Sequence, residues 1–328
     1  MEQIVQAPAN KKPAKKLLDR QITTRQLIFI VLVFLCLTPW ITPPIALLMG
    51  LIVAQFIGHP FLHLNQKATS LLLQVSVVGL GFGMNVNSAL KAGKEGVIFT
   101  IISIFGTLIL GTILGKIFKI DKKTSHLVSS GTAICGGSAI AAISPVINAE
   151  EKQISVALGT LFILNSIALF VFPVIGHYFN LNETQFGLWC AIAIHDTSSV
   201  VGAASKYGPH ALEVATTVKL ARALWIIPVA IGSSVLFKNK ATKIKIPWFI
   251  GFFIVAMIVN TYVPGIENIA PVLVAVAKTG LTLTLFLIEA GLSGKVLRAV
   301  GVKPLLQGII LWVVISVAAL WAVTSLAG

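Results

Sequence analysis

The chain has 328 residues, 56% of them hydrophobic and only 11% charged, with a mean hydropathy of +0.92. Hydrophobicity at that level over the whole length excludes a soluble globular fold and leaves no room for a sizeable water-soluble domain. A net charge of +14 would suit a nucleic-acid binder, but Lys and Arg fall in short clusters between apolar runs. That is the positive-inside pattern of a polytopic membrane protein, and no nucleic-acid partner is expected.

Residues 1–25 carry Lys11, Lys12, Lys15, Lys16, Arg20 and Arg25 and read as a disordered cytoplasmic tail. No small-residue cleavage site follows residues 26–38, so the tail is expected to stay in the mature protein. Residues 26–328 read as one transmembrane transporter domain. A lipid-spanning helix needs about 20 apolar residues. Eleven runs approach that: 26–42, 45–62, 68–84, 97–118, 127–147, 154–176, 186–205, 211–237, 247–263, 269–292 and 305–326. With the N-terminus inside, eighteen Lys and Arg fall in inner segments and four (Lys91, Lys94, Lys152, Lys206) in outer ones. The expectation is an all-α protein of about eleven spans, N-in and C-out, in the bacterial inner membrane. The segment from Gly83 to Gly93 resembles that from Gly291 to Gly301 in spans of opposite direction, as an inverted repeat requires.

Three places break the pattern of a featureless span. In the fifth, Ser129 to Ser138 places Gly136 and Gly137 among hydroxyl residues, which weakens a helix at a depth where irregular backbone must be buried or line a cavity. Small-residue helix packing is the plainer reading. In the seventh, His195-Asp196-Thr197-Ser198-Ser199 puts an aspartate in mid-span. Its cost there is about 2.5–3.5 kcal/mol on insertion scales, and Asp196 suits the N-cap of a half-helix starting at Thr197. A structural ion pair is the alternative. In the eighth, Lys219 and Arg222 share one helix face; snorkelling suits Lys219 better than Arg222.

At about 1.5 Å per residue, Asp196, Lys219, Arg222, Lys278 and Asn165 all fall roughly 12–16 Å below the outer end of their spans. The Gly136-Gly137 break falls at the same level, near the midplane of a core about 30 Å thick. Half-helix N-termini with Lys and Arg nearby make an anion site. Arg222, Lys219, Gly136, Gly137, Ser138, Thr197, Ser198 and Asn165 are therefore the expected substrate contacts. Asp196, His195 and Lys278 are the expected proton or sodium coupling groups. Glu289 reads as an interfacial partner of Lys295. Cys36, Cys135 and Cys190 form no CxxC motif, so no metal or cofactor is expected.

The same segments carry a family resemblance. The run from Gly131 to Ala142 (GTAICGGSAIAA), the NAEE at Asn148, and Ala157-Leu158-Gly159 with Leu164-Asn165 form its first half. FGLW at Phe186, AIHDTSSVVGAA from Ala193 and VKLAR at Val218 form the second. From about residue 30 onward the chain resembles the YeiH-type bacterial sulfate exporters, a conserved-hypothetical membrane family. The resemblance implies a fold related to cation/proton antiporters and bile-acid symporters, with a panel domain and a core of broken helices. That fold usually pairs two broken helices of opposite direction, whereas the fifth and seventh spans run the same way. Either the tenth span, around Lys278 to Thr284, is the second broken helix, or the span count is off by one.

The expected function is a secondary transporter, an exporter of sulfate- or sulfonate-like anions, by alternating access. A cation/proton antiporter using Asp196, with Lys278 as its displaced partner, is the runner-up. A channel would need a continuous polar lining, and an intramembrane enzyme a nucleophile–base pair with a substrate; neither is legible, and no enzyme is expected. A homodimer is an open option.

Overall fold

The structure, a computed structural model, describes residues 23–237, 248–291 and 300–326, the side chains of 62–67, 88–89, 91–97 and 326 excepted. Most of the basic tail, the Lys238–Lys245 cluster, Lys295, Arg298 and most of the segment similar to Gly83–Gly93 lie outside these residues. Among the described residues every regular element is helical. In chain order they are α1 (Thr24–Cys36), α2 (Pro43–Ile52, continued by a π turn to Ile57), α3 (Leu62–Leu80), α4 (Val86–Ile117), α5 (Lys122–Ala133), α6 (Gly137–Ile143) and α7 (Glu151–Tyr178). There follow α8 (Glu183–Ala193), α9 (Thr197–Tyr207), α10 (Pro209–Ala223), α11 (Ile226–Leu236), α12 (Trp248–Tyr262), α13 (Ala270–Ala290) and α14 (Val302–Leu326).

Among the described residues five stretches are long and apolar enough to cross a bilayer: Ile98–Ile117, Glu151–Tyr178, Pro209–Leu236, Ala270–Ala290 and Val302–Ser325. Their outward faces are apolar. On α4, Ile98, Ile102, Phe105, Ile109 and Ile113 stand exposed at helical spacing; such a stripe belongs against lipid rather than water. This is a multi-pass membrane protein.

The helices sort into two groups. In the outer group α13 packs on α2 and α3, with α12 on α3 and α1 against α13. The inner group joins α4, α5, α7, α8, α9, α10 and α14. Close approach is enforced by small residues. A Cβ on Gly111 or Gly115 of α4 would lie 2.0 Å from the Ser129 or Ser125 hydroxyl of α5. Gln307 of α14 then donates to Ser125 Oγ at 2.8 Å, Ser129 Oγ at 3.1 Å and the Gly111 carbonyl at 2.9 Å. A GxxxG face thus seats hairpin arm α5.

The breaks fall where the composition places them, but the chain does not continue past them. Glu183, at the start of α8, accepts from the backbone N–H of His210 and Ala211, at 2.7 and 3.0 Å. Phe186 of α8 stacks on Tyr207 at the end of α9, centroids 3.6 Å apart. Two collinear helices of eleven residues each would set those ends roughly 30 Å apart. The segment 183–207 is therefore a helical hairpin whose tip is Ile194-His195-Asp196. The fifth predicted span folds back as well. Gln153 donates to Asp121 at 2.8 Å and Lys123 to the Asn148 carbonyl at 2.6 Å, so the segment 121–150 leaves and returns at one end, its tip at Ile134-Cys135-Gly136. Two of the eleven predicted crossings are thus hairpins. The tenth predicted span, α13, is an unbroken helix.

The two hairpins point at each other. Between them runs α7, whose 28 residues cover about 42 Å, so their bases sit at opposite ends of that helix. From the second base, α10 and α11 run back to the first, where His126 of α5 meets Ser233 at 2.7 Å. Hairpin plus helix is thereby repeated once, upside down, over 122–178 and 183–236.

Candidate functional site

The two tips meet. Gly136, at φ +65° and ψ −124°, holds a conformation that only glycine adopts readily. A Cβ there would come within 3.4 Å of the Asp196 Cβ and the His195 carbonyl carbon. Beyond each tip a helix begins. Asp196 caps α9: Oδ1 accepts from Ser199 N at 2.7 Å and Ser198 Oγ at 2.6 Å, and Oδ2 from Ser199 Oγ at 2.7 Å. Serines two and three residues on let a single carboxylate hold the first turn.

Before each tip a helix ends, and its last carbonyls need donors. Lys219 and Arg222 of α10, both fully buried, supply them. Lys219 Nζ donates to the Ile194 carbonyl at 2.6 Å. Arg222 Nε donates to Ala133 O at 2.7 Å and Nη1 to Ile192 O at 2.8 Å, so one guanidinium ties the end of α5 to the end of α8. Cations at two helix C-termini are also favoured by the helix dipoles. Neither forms an ion pair with Asp196 within 4.0 Å among the described residues.

After these bonds several buried polar atoms around the tips remain without a partner among the described residues: Arg222 Nη2, Asn165 Nδ2, both ring nitrogens of His195 and Thr132 Oγ1. Asn165 of α7 reaches the site because its Oδ1 accepts from His195 N at 3.0 Å. In a region where each unpaired polar group is costly, Arg222 Nη2 and Asn165 Nδ2 are donors at one level, suited to an oxyanion.

The other predicted contacts are more dispersed. Thr197 and Ser198 sit on the first turn of α9. Gly137 faces Leu158 and Phe162 of α7, and Ser138 is exposed. Lys278 is exposed too, on the flank of a cleft of about 220 Å³ between α9 and α13, lined also by Ser198, Ser205, Thr282 and Pro43. Lys295, the partner expected for Glu289, lies outside the described residues, and Glu289 itself turns inward. It is 2% exposed and accepts from Ser166 Oγ at 3.0 Å. Ser166 follows Asn165, so Glu289 stands at the level of the second tip. The sequence does not single out Thr132 or Ser166, and Glu289 reads there only as a partner of Lys295, because nothing local marks a hydroxyl or a helix-end carboxylate as facing a distant hairpin.

The family described as conserved hypothetical protein 698 matches residues 27–308. The chain belongs to this family. The chain is also similar to proteins named UPF0324 membrane protein in Bacteroides thetaiotaomicron and Porphyromonas gingivalis. The first is 61% identical over 283 residues, 86% of each chain. The second is 54% identical over 287 residues, 86% of this chain and 87% of its own. A relative in Photobacterium profundum is 48% identical over 314 residues, 95% of this chain and 96% of its own. No solved structure matches. With these relatives and its apolar helices, the chain is a multi-pass bacterial membrane protein of the conserved hypothetical protein 698 family.

Proposed function

We propose that the chain is a secondary transporter of small oxyanions, sulfate- or sulfonate-like, exporting them by alternating access. The single observation that supports this most is the meeting of two opposed hairpin tips among buried, unpartnered donors. A hairpin arm of eleven residues is about 16 Å long, half of a hydrocarbon core about 30 Å thick. The tips then lie at the midplane, where irregular backbone is tolerated only inside protein. In this reading Arg222 Nη2 and Asn165 Nδ2 hold the anion, and Lys219 contributes its field while bracing a carbonyl. Gly136, Gly137, Ser138, Thr197 and Ser198 shape the approach, and the cleft beside Lys278 is one access route. Asp196 and His195 stand nearby as coupling groups for a proton or sodium ion.

With both hairpins re-entrant, nine crossings remain: α1, α2, α3, α4, α7, α10–α11, α12, α13 and α14. The N-in, C-out orientation is unchanged because two crossings were removed. Lys152 moves to the inner side, leaving Lys91, Lys94 and Lys206 outside against nineteen Lys and Arg inside. The positive-inside asymmetry sharpens, and this independently supports the hairpin reading.

The test is flux in proteoliposomes across sulfate, thiosulfate and alkanesulfonates, with and without a pH gradient. Saturable flux of one of these anions is the expected result. Cation-for-proton exchange with no anion flux would favour the antiporter reading instead.

A further inference from the structure

We propose that Glu289 binds and releases the proton that couples transport, at the seam between the two helix groups. This rests on the transporter reading above and adds a residue to it. Glu289 belongs to α13 of the outer group, its hydroxyl partner Ser166 to α7 of the inner one, so their bond spans the surface on which the groups would slide. Its second oxygen, Oε2, is buried without a partner among the described residues. The slot around it is closed by α2, where a Cβ on Gly50 would lie 2.8 Å from the Glu289 Cβ and 2.5 Å from the Phe286 carbonyl. Phe286 and Ala290 of α13 belong to the apolar cluster alongside.

An ionised carboxyl needs donors for both oxygens and a counter-charge, and this slot offers a single hydroxyl; a proton on Oε2 completes it. Among the described residues no Lys or Arg pairs with Glu289 within 4.0 Å. Neither α2 nor the described side chains of α3 include a titratable group, whereas α1 carries Arg25 and the Cys36 thiol, and the His59 ring after α2 packs on Phe29 of the same cluster. Across the seam, the tip that carries Asp196 is held by Asn165, the neighbour of Ser166, while Lys278 lies three turns away on α13. Sliding α13 against α7 would part the pair and open the carboxyl to water, which is where a proton exchanges. A buried ionisable group within a membrane span is a functional position by default.

The sign of the coupling follows from charge. An anion at the tips makes the surroundings of Glu289 more negative, so anion binding draws a proton on, and protonation reciprocally tightens the anion. The experiment uses the full chain in detergent, weakly buffered with a pH indicator, with sulfate binding and proton uptake measured together. Wild type is expected to bind sulfate and take up a proton; Glu289→Gln to bind sulfate with uptake abolished. Unchanged uptake in Glu289→Gln, with sulfate bound, overturns the proposal and leaves the anion site standing. If wild type binds no sulfate, the sulfate reading fails. Glu289 is then judged by infrared titration: loss in Glu289→Gln of a protonated-carboxyl band present in wild type upholds its proton, and an unchanged band overturns it.

Discussion

At the scale of single residues, the two buried cations are builders before they are ligands. Arg222 holds the last carbonyls of two hairpin arms at once. Lysine keeps the charge but lacks the fork, so Arg222→Lys leaves one of those carbonyls unpaired. The expected loss is about 1–3 kcal/mol, seen as a lower Tm in detergent, together with weakened anion binding. Asn165 separates the two roles more cleanly. Asn165→Asp preserves the acceptor for His195 N–H while replacing the free Nδ2 donor by an oxygen. Binding of sulfate by scintillation proximity is expected to vanish in this variant while the protein still elutes as a folded species. For Asp196, Asn retains an N-cap acceptor and Ala does not. Asp196→Asn is expected to stay within a few tenths of a kcal/mol of wild type, and Asp196→Ala to cost about 0.5–2 kcal/mol.

At the scale of elements, the hairpins make a topological prediction that eleven crossings would contradict. Cysteines at residues 120 and 149 are expected to react with an impermeant maleimide from the same side, the inner one. Cysteines at 181 and 208 are expected to react from the outer side. Labelling of 120 and 149 from opposite faces would restore a crossing there. The first tip has its own requirement. At φ +65°, ψ −124° an alanine at Gly136 is strained by about 1–3 kcal/mol and pushes toward His195 and Asp196. Gly136→Ala is thus expected to lower both Tm and flux.

At the scale of the molecule, transport by alternating access requires the outer and inner groups to shift against each other. Pro43 of α2 and Gly202 of α9 face one another across that seam, with a Cβ on Gly202 falling 3.2 Å from the Pro43 Cβ. That is close to the Cβ separation of a disulfide, about 3.5–4.5 Å. The double variant Pro43→Cys, Gly202→Cys is expected to lose flux on oxidation and regain it on reduction. The Gly202→Cys single variant controls for the contact a Cβ at 202 makes with Leu169. Flux that persists in the crosslinked protein would mean the two groups do not move relative to each other.

The sequence by itself determined the membrane class, the positions of both helix breaks and the capping role of Asp196. These depend on local chemistry: apolar run length, glycines at mid-depth, a carboxylate two and three residues before serines. It also placed Asn165, Lys219, Arg222, Asp196 and Lys278 at one level. The first four meet around the second tip, because a hairpin arm and half a crossing have the same length, while Lys278 lies apart beside the cleft between α9 and α13. Only the tertiary structure decided where the chain goes after each break. A broken helix leaves free N–H and C=O groups whether the next segment proceeds or returns. The choice is made by contacts between residues far apart in sequence, Gln153 on Asp121 and Glu183 on the start of α10. The same distance in sequence hid the seam at Glu289, whose partner lies 123 residues away on α7. It also concealed that Arg222 spends two of its donors on the ends of α5 and α8, since a helix C-terminus calls for a donor without specifying which distant residue will supply it.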